Sequence, residues 1–284
     1  MAPDTPLVVD AHNHYWVVGQ SELNWMDDSN RDTLLHTFLP ADLKPHMDAA
    51  GVDQSVIVEA GTAWTEQLWY LDLCNECDFV VGVIANLDLT ASDLESKLDE
   101  LGQSPWFKGI RAGAENISDT AWLARDDVRR GIRTVISRGH IVELLVRTPH
   151  LPHVPAIARE NDGGRLIVDH MAKPPFESGD LSVWQKGMRA LAPYKHLRVK
   201  VSGLLTESLS SPRTKTVQPA VDLVLDTFEV DRLIWGSDWP VALMAAGYED
   251  TFTRVTGALE RLSGDERAAV LGGNAMAFYE LPAA

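Results

Sequence analysis

Two histidines near the start of the chain and an aspartate near its end have the residue types and positions of a metal or acid–base site. His12 and His14 close a short apolar run that begins at Val8. Side chains at positions i and i+2 of a β-strand point to the same side, so both imidazoles face one spot. Asp238 ends a second apolar run far along the chain. Imidazoles and a carboxylate that meet could hold a divalent metal ion or move a proton.

Other polar residues lie where apolar, strand-like runs end, and they are candidates for the same site. They are Glu59, Asn86, Arg111, Glu143, Arg147, Asp169, His170, Lys200, Ser202 and Ser237. Arg111 and Lys200 interrupt apolar runs, where an unpaired charge is costly, so each needs a carboxylate from the protein or from a bound substrate. Glu59 and Glu143 are the acidic residues of this set that could pair with these two cations.

Several tryptophans could form the wall of a site, because an indole ring stacks on a flat or cyclic ligand. Trp16 and Trp25 both fall within residues 15–40, a segment that is long for a loop between a strand and a helix. We expect this segment to cover the catalytic face as a lid or a substrate wall. The candidate substrate-binding side chains are Trp16, Trp239, Arg111 and Lys200.

Eight apolar, β-branched runs recur along the chain and predict eight strands. They cover residues 7–11, 55–60, 79–86, 107–113, 140–146, 165–170, 198–203 and 232–238. The runs are continuous rather than alternating, which is typical of parallel strands buried on both faces. Segments with helical periodicity separate them, and eight strand–helix units favour closure into a barrel over an open doubly wound sheet. We predict an α/β fold in which residues 1–284 form a single (β/α)₈ TIM barrel.

The overall charge limits the partners of the protein. The chain has 284 residues, of which 41 are acidic and 25 are basic, for a formal net charge of −16. Such an acidic surface repels nucleic acid and anionic membranes, and no apolar stretch approaches the roughly 20 residues that span a bilayer. Because the N-terminus lacks a basic, apolar leader, we expect a cytoplasmic protein that binds a small molecule. A homo-oligomer is compatible with the sequence.

Four strand-end motifs resemble those of the amidohydrolase superfamily. They read Val-Asp-Ala-His-Asn-His at 9–14, Ile-Val-Asp-His-Met-Ala-Lys-Pro at 167–174, Val-Lys-Val-Ser-Gly-Leu at 199–204 and Trp-Gly-Ser-Asp-Trp-Pro at 235–240. More narrowly, they resemble the amidohydrolase-2 branch with its sugar-lactone and 2-pyrone-4,6-dicarboxylate lactonases. Lys-Gly-Ile-Arg at 108–111 is also similar to the lactonase pattern. The resemblance extends over essentially the whole chain.

The resemblance implies a role for each of the main candidates. His12 and His14 match a first-strand pair that binds a divalent metal ion, and Asp238 matches an eighth-strand aspartate that ligates the metal and acts as general base and acid. His170 matches a sixth-strand histidine that contacts the metal or polarises the substrate carbonyl. The fifth-strand histidine of many members is missing here, and Glu143 is the residue that could replace it as a ligand.

The resemblance also implies an activity, with alternatives. The first is a hydrolase that opens a small lactone, either a sugar lactone or a carboxylated lactone, by water attack on the ring carbonyl. Its cofactor is one divalent ion, with zinc the first choice, or none, because an ester is a fairly reactive substrate. The second is a metal-dependent decarboxylase or hydratase of the amidohydrolase-2 type. The third is a non-catalytic barrel that binds a small organic acid.

Overall fold

The computed structural model describes residues 6–210 and 214–283, and these contain eight strands and eleven α-helices. The strands are β1 (Val9–Asn13), β2 (Gln54–Val58), β3 (Val80–Ala85), β4 (Phe107–Gly113), β5 (Ile141–Leu145), β6 (Leu166–Val168), β7 (Leu197–Val201) and β8 (Leu233–Trp235). The helices are α1 (Arg31–Leu34), α2 (Pro40–Ala50), α3 (Trp64–Glu76), α4 (Leu94–Leu101), α5 (Asp126–Ser137), α6 (Val154–Glu160), α7 (Ser182–Arg189), α8 (Thr214–Thr227), α9 (Tyr248–Ala258), α10 (Gly264–Ala268) and α11 (Asn274–Tyr279).

The eight strands form one parallel sheet in sequence order, from β1 to β8. Bonds between the segments that follow the first and last strands join the two ends of this sheet. The backbone N–H of His14 donates to the carbonyl of Trp239 at 2.7 Å, and that of Asp238 donates to the carbonyl of His12 at 2.8 Å. Each predicted apolar run overlaps one observed strand, and the prediction of a (β/α)₈ TIM barrel is confirmed.

The strands and their helices bury two main apolar clusters. The larger one packs the outer side chains of the strands against the surrounding helices, as Ile132 of α5 and Trp184 of α7 illustrate. The smaller one joins strand residues such as Ile84 and Ile234 to Tyr279 of α11. Among the described residues, none of the helices combines the length and apolarity needed to cross a bilayer. The last helix, α11, packs on the barrel and brings the hydroxyl of Tyr279 close to its interior.

One helix lies so close to a neighbouring loop that only glycine fits at the contact. A Cβ atom built on Gly131 of α5 would lie 2.2 Å from the carbonyl oxygen of Leu89, which follows β3. The backbone atom cannot rotate away as a side chain could, so the helix or the loop would have to move. Gly131 thus sets how closely α5 approaches the loop that follows β3.

We expect Gly131→Ala to lower the free energy of unfolding by about 1–3 kcal/mol, because overpacking forces backbone shifts. Gly264→Ala is the matched control, since a Cβ at Gly264 meets nothing within 4 Å. The control should change stability by less than about 0.5 kcal/mol. Urea unfolding followed by circular dichroism measures both. Equal stability of the two variants would contradict the close contact.

Candidate active site

A cavity of about 530 Å³ opens at the C-terminal ends of the strands. Every strand contributes to its wall through the residue that ends it or the segment that follows. The contributing strand-end residues are His14, Glu59, Asn86, Arg111, Gly113, Glu115, Leu145, Arg147, His170, Lys173, Thr206, Glu207 and Asp238. The long segment 15–40 adds five more, namely Glu22, Asn24, Trp25, Asp27 and Asn30. This is the face on which barrels of this kind carry their active sites.

Asp238 and His14 form the closest pair at the base of the cavity. The Nε2 atom of His14 lies 3.3 Å from Oδ1 of Asp238, and its Nδ1 atom lies 2.8 Å from the carbonyl oxygen of Val58. A carbonyl oxygen only accepts, so Nδ1 carries a hydrogen and Nε2 of the neutral ring presents a lone pair. Two electron-rich atoms at this distance require a proton or a cation between them.

Two further histidines approach the same carboxylate oxygen. Nε2 of His12 lies 3.7 Å and Nε2 of His170 lies 3.9 Å from Oδ1 of Asp238. On its other side His170 contacts the hydroxyl of Ser202 through Nδ1, at 2.9 Å. Burial lowers the pKa of both imidazoles, and for His12 the positive charge of Lys200 lowers the pKa further. The structure therefore brings together all four residues that the sequence placed at the centre of the site.

The protonation of Asp238 is set by opposing effects. Burial alone would raise the pKa of its carboxyl group, but His170 and His14 outweigh this and hold the pKa at about 2. At neutral pH the group is therefore an ionised carboxylate, which is the form that can ligate a metal ion or accept a proton.

A run of left-handed backbone carries His170 into the site. Four consecutive residues, His170 to Lys173, have φ between 51° and 57°. Each non-glycine residue in this conformation costs roughly 1–2 kcal/mol, so the surroundings must hold the turn. The indole of Trp184 does so by donating to the carbonyl of Met171 at 2.7 Å. Across from the turn, a Cβ on Gly203 (φ +61°) would lie 2.5 Å from Nδ1 of His170.

Asp10 joins the first and last strands beneath the site, a role that the sequence analysis missed. Its Oδ1 accepts the backbone N–H of Ser237 at 2.8 Å and of His12 at 3.2 Å, and its Oδ2 accepts the hydroxyl of Tyr248 at 3.1 Å. Burial raises the pKa of Asp10 to about 6, although Ser237 lowers it in part. The signal for this role was an acidic residue two positions before His12 in a buried run.

Lys200 lies under the cavity rather than on its wall. Its Nζ atom donates to Oε2 of Glu143 at 2.6 Å, contacts Nδ1 of His12 at 3.1 Å and lies 3.5 Å from Asp169. Tyr279 donates to the other oxygen of Glu143 at 2.6 Å. Burial raises the pKa of Glu143 to about 7 against the opposing effect of Lys200. Lys200 and Glu143 do not line the cavity, and Glu143 is absent from both groups of described residues that could hold a metal ion.

The cations on the cavity wall are already paired. Arg111 donates to Oε1 and to the backbone carbonyl of Glu59, at 2.7 Å each. At the mouth, Arg147 and Lys173 share the carboxylates of Glu115 and Glu207; the four closest N–O distances range from 2.5 to 3.5 Å. Glu115 and Glu207 follow β4 and β7, and the sequence analysis missed both because they stand in irregular segments.

Of the predicted aromatic residues, one lines the cavity and two are buried behind its wall. Trp25 lines the cavity, with its Nε1 bonded to the carbonyl of Ala60 at 2.8 Å. Trp16 is fully buried and packs edge-on against Trp25 and Phe38. Trp239 is also buried and packs against Phe38. The prediction that Trp16 and Trp239 contact the substrate does not fit these positions, since both rings support the wall from behind.

The donor atoms at the base of the cavity fit a divalent ion. Ligand atoms of His12, His14 and Asp238 lie within 4.8 Å of one another, as do those of His12, Asp169 and His170. The buried Nε2 of His12 has no hydrogen-bond partner among the described residues. Imidazole nitrogens and a carboxylate oxygen are the ligands of catalytic zinc sites. The cluster is therefore a group of His and Asp residues that could bind a metal ion.

Comparison with known proteins shows the family to which this barrel belongs. A family model described as amidohydrolase matches residues 9–281, which is nearly the whole chain. The chain belongs to this amidohydrolase family. The family predicted from the strand-end motifs is thereby confirmed.

Similar proteins extend this result over the full length. The amidohydrolase is 33% identical over 277 residues to an L-fucono-1,5-lactonase of Burkholderia ambifaria, covering 96% of this chain and 95% of the relative. An amidohydrolase structure from Burkholderia multivorans with bound zinc superimposes with a TM-score of 0.91 at 30% identity, covering 97% and 100% of the two chains. A probable 2-pyrone-4,6-dicarboxylic acid hydrolase of Acinetobacter baumannii, at 19% identity and a TM-score of 0.78, shares the fold over 96% and 99%.

We expect Lys200→Met to lower the free energy of unfolding by about 3–5 kcal/mol, because it leaves the buried carboxylate of Glu143 without its cation. Adding Glu143→Gln to this variant should recover part of the loss. Lys97→Met is the control, since Lys97 is partly exposed and pairs with Asp93 on the helix surface; it should cost less than about 1 kcal/mol. Urea unfolding compares the three. A Lys200→Met protein as stable as the control would show that the buried Lys200–Glu143 pair does not stabilise the fold by this amount.

Proposed function

We propose that this amidohydrolase opens a neutral, polyhydroxylated lactone of the sugar-lactone class. The observation that carries the proposal is the charge of the cavity wall. Six carboxylates line it, namely Glu22, Asp27, Glu59, Glu115, Glu207 and Asp238, against the three cations Arg111, Arg147 and Lys173. A wall with this excess of negative charge disfavours a substrate that is itself an anion.

The pairing of the three cations strengthens the argument. Arg111 is bonded to Glu59, and Arg147 and Lys173 are bonded to Glu115 and Glu207. A carboxylated lactone would have to compete with these bonds to find a cationic partner. Sugar hydroxyls can instead both donate to carboxylates and accept from amides and guanidinium groups without displacing them.

The remaining wall suits a ring that carries hydroxyl groups. Asn24, Asn30 and Asn86 supply amide donors and acceptors, and Trp25 supplies an aromatic side chain against which a sugar ring can pack. A cavity that carries these polar groups beside an aromatic wall is well suited to a sugar-sized molecule.

The relatives support the same reaction. Hydrolysis of a lactone is the activity of the L-fucono-1,5-lactonase that is 33% identical to this chain, and the chain is accordingly a lactone hydrolase. We infer that its substrate is close in shape to that 1,5-lactone, a six-membered ring with several hydroxyls. The carboxylated pyrone of the more distant neighbour is the less suitable substrate for this acidic cavity.

Asp238 is the residue that can move the protons of the reaction. Its carboxylate, ionised at neutral pH, accepts a proton from the attacking water, and the water oxygen bonds to the ring carbonyl carbon. When the ring C–O bond breaks, Asp238 returns the proton to the leaving alkoxide oxygen. His170 lies beside it on the wall, where it can donate a hydrogen bond to the carbonyl oxygen as negative charge develops.

A divalent ion fits the electron-rich contact between His14 and Asp238, and zinc is the ion that we propose. His12, His14 and Asp238, whose ligand atoms lie within 4.8 Å of one another, are the residues that would hold it. Bound there, zinc would supply Lewis-acid stabilisation of negative charge on oxygen and acidify the attacking water. Metal-free hydrolysis is the alternative, since Asp238 and His170 alone can provide a base and a donor for a reactive ester.

A decarboxylase is the weaker candidate. The position on β5 that would carry the additional histidine ligand of such enzymes is occupied by Glu143, whose two oxygens are bonded to Lys200 and Tyr279. This carboxylate is fully buried and does not line the cavity. We therefore expect no release of CO₂ from carboxylated aromatic substrates.

The acidic wall predicts a preference that a substrate panel can measure. We expect kcat/KM for L-fucono-1,5-lactone to exceed that for 2-pyrone-4,6-dicarboxylate by at least about 100-fold, because like charges in contact cost several kcal/mol. A pH indicator follows the acid released by either ring. Faster hydrolysis of the dicarboxylate, or release of CO₂ from an aromatic acid with no lactone hydrolysis, would refute the proposal.

The role of Asp238 predicts the effect of a single substitution. We expect Asp238→Asn to lower kcat on the preferred lactone by about 10²–10⁴-fold, since the amide cannot accept the proton from water. Asp162→Asn is the control, because that side chain is largely exposed, and it should keep wild-type activity. Circular dichroism verifies that both variants are folded. Turnover by Asp238→Asn within tenfold of wild type would remove Asp238 from the mechanism.

A further inference from the structure

The asparagines on the cavity wall differ in how firmly they are held. Asn24 and Asn116 are exposed. The Oδ1 atom of Asn30 already accepts the backbone N–H of Asp27 at 3.1 Å. Asn86 is half-buried directly after β3, and its side-chain amide has no hydrogen-bond partner in the part of the chain that the structure describes. The two donors and the acceptor oxygen of this amide are therefore available to a ligand.

The backbone of Asn86 is fixed by a glutamine on α3. Oε1 of Gln67 accepts the backbone N–H of Asn86 at 2.8 Å. Nε2 of Gln67 donates to the carbonyl oxygens of Gly61 and Ala63, at 3.0 and 3.1 Å. Gln67 is completely buried, where an unpaired amide would be costly. One side chain thus joins the loop after β2 to the first residue after β3, and it holds Asn86 at a defined place on the wall.

Asn86 lies across the cavity from the residues proposed to act on the lactone carbonyl. In a closed ring of eight strands in sequence order, β2, β3 and β4 stand opposite β6, β7 and β8. His170 follows β6 and Asp238 follows β8. A lactone carbonyl placed between these two directs the rest of its ring toward β2, β3 and β4. Beside Asn86 on that wall, Glu59 and Arg111 are bonded to each other at 2.7 Å, which leaves Asn86 as the unengaged group.

We propose that Asn86 is a specificity-determining residue that binds two adjacent hydroxyl groups of the lactone ring, and that Gln67 is the positioning residue that holds it. Oδ1 of Asn86 accepts a hydrogen bond from one hydroxyl, and Nδ2 donates one to its neighbour. Because the amide is uncharged, it selects by the position of the hydroxyls and not by charge. The assignment rests on the proposed function, since it takes the substrate to be a hydroxylated lactone.

Substitution of Asn86 should weaken substrate binding and leave the chemical step unchanged. We expect Asn86→Ala to raise KM for L-fucono-1,5-lactone by roughly 5–100-fold, the size of two neutral hydrogen bonds, with kcat within about twofold of wild type. With δ-valerolactone, the same ring without hydroxyls, the two proteins should have equal kcat/KM. Gln103→Ala is the control, because Gln103 is exposed and does not line the cavity; it should match wild type on both substrates.

Gln67 acts through Asn86, so the effects of the two substitutions on KM should not multiply. We expect Gln67→Met to raise KM for L-fucono-1,5-lactone, and Gln67→Met/Asn86→Ala to have the KM of Asn86→Ala within about twofold. Gln67→Glu keeps an oxygen that can accept from Asn86, and it should raise KM less than Gln67→Met does. Circular dichroism verifies that each variant is folded. Multiplied effects in the double variant would overturn the positioning role.

The outcomes separate this assignment from the proposed function. An unchanged KM in Asn86→Ala, or an equal loss of kcat/KM on δ-valerolactone, would overturn the role of Asn86 while turnover by the wild-type protein upheld the lactonase activity. A wild-type protein that hydrolyses no lactone would refute the proposed function and this assignment together.

Discussion

The carboxylate of Asp10 is the constraint on which the geometry of the site depends. It bonds at once to the backbone of Ser237 after the last strand, to the backbone of His12 on the first strand, and to Tyr248 on a surrounding helix. These bonds fix the first and last strands against each other where the sheet closes. His14 and Asp238, which are 224 residues apart in the sequence, meet at 3.3 Å because of this closure.

The sequence predicted the scaffold well because the physical signals for it are local. Each buried parallel strand leaves a continuous apolar run, and eight such runs separated by helical periods specify a barrel. The position of a polar residue at the end of a run then places it at the mouth. Strand-end positions alone therefore predict that His12, His14, His170 and Asp238 meet, as they do in the structure.

What the sequence could not supply is the partner of each charged or aromatic side chain. Lys200 and Arg111 look alike as cations within apolar runs, yet Lys200 is buried beneath the cavity and Arg111 lines it. Trp16 and Trp25 occupy one loop, yet only Trp25 lines the cavity. These differences depend on which way a side chain points and on long-range contacts, neither of which has a periodic signature.

The acidic wall of the cavity also bears on how a turnover ends. Opening a neutral lactone creates a carboxylic acid, which is an anion at neutral pH, in a chamber lined by twice as many carboxylates as cations. The substrate enters without opposing this field, whereas the product is repelled by it. With the proposed neutral lactone as substrate, the charges that select the ring also favour the departure of the acid.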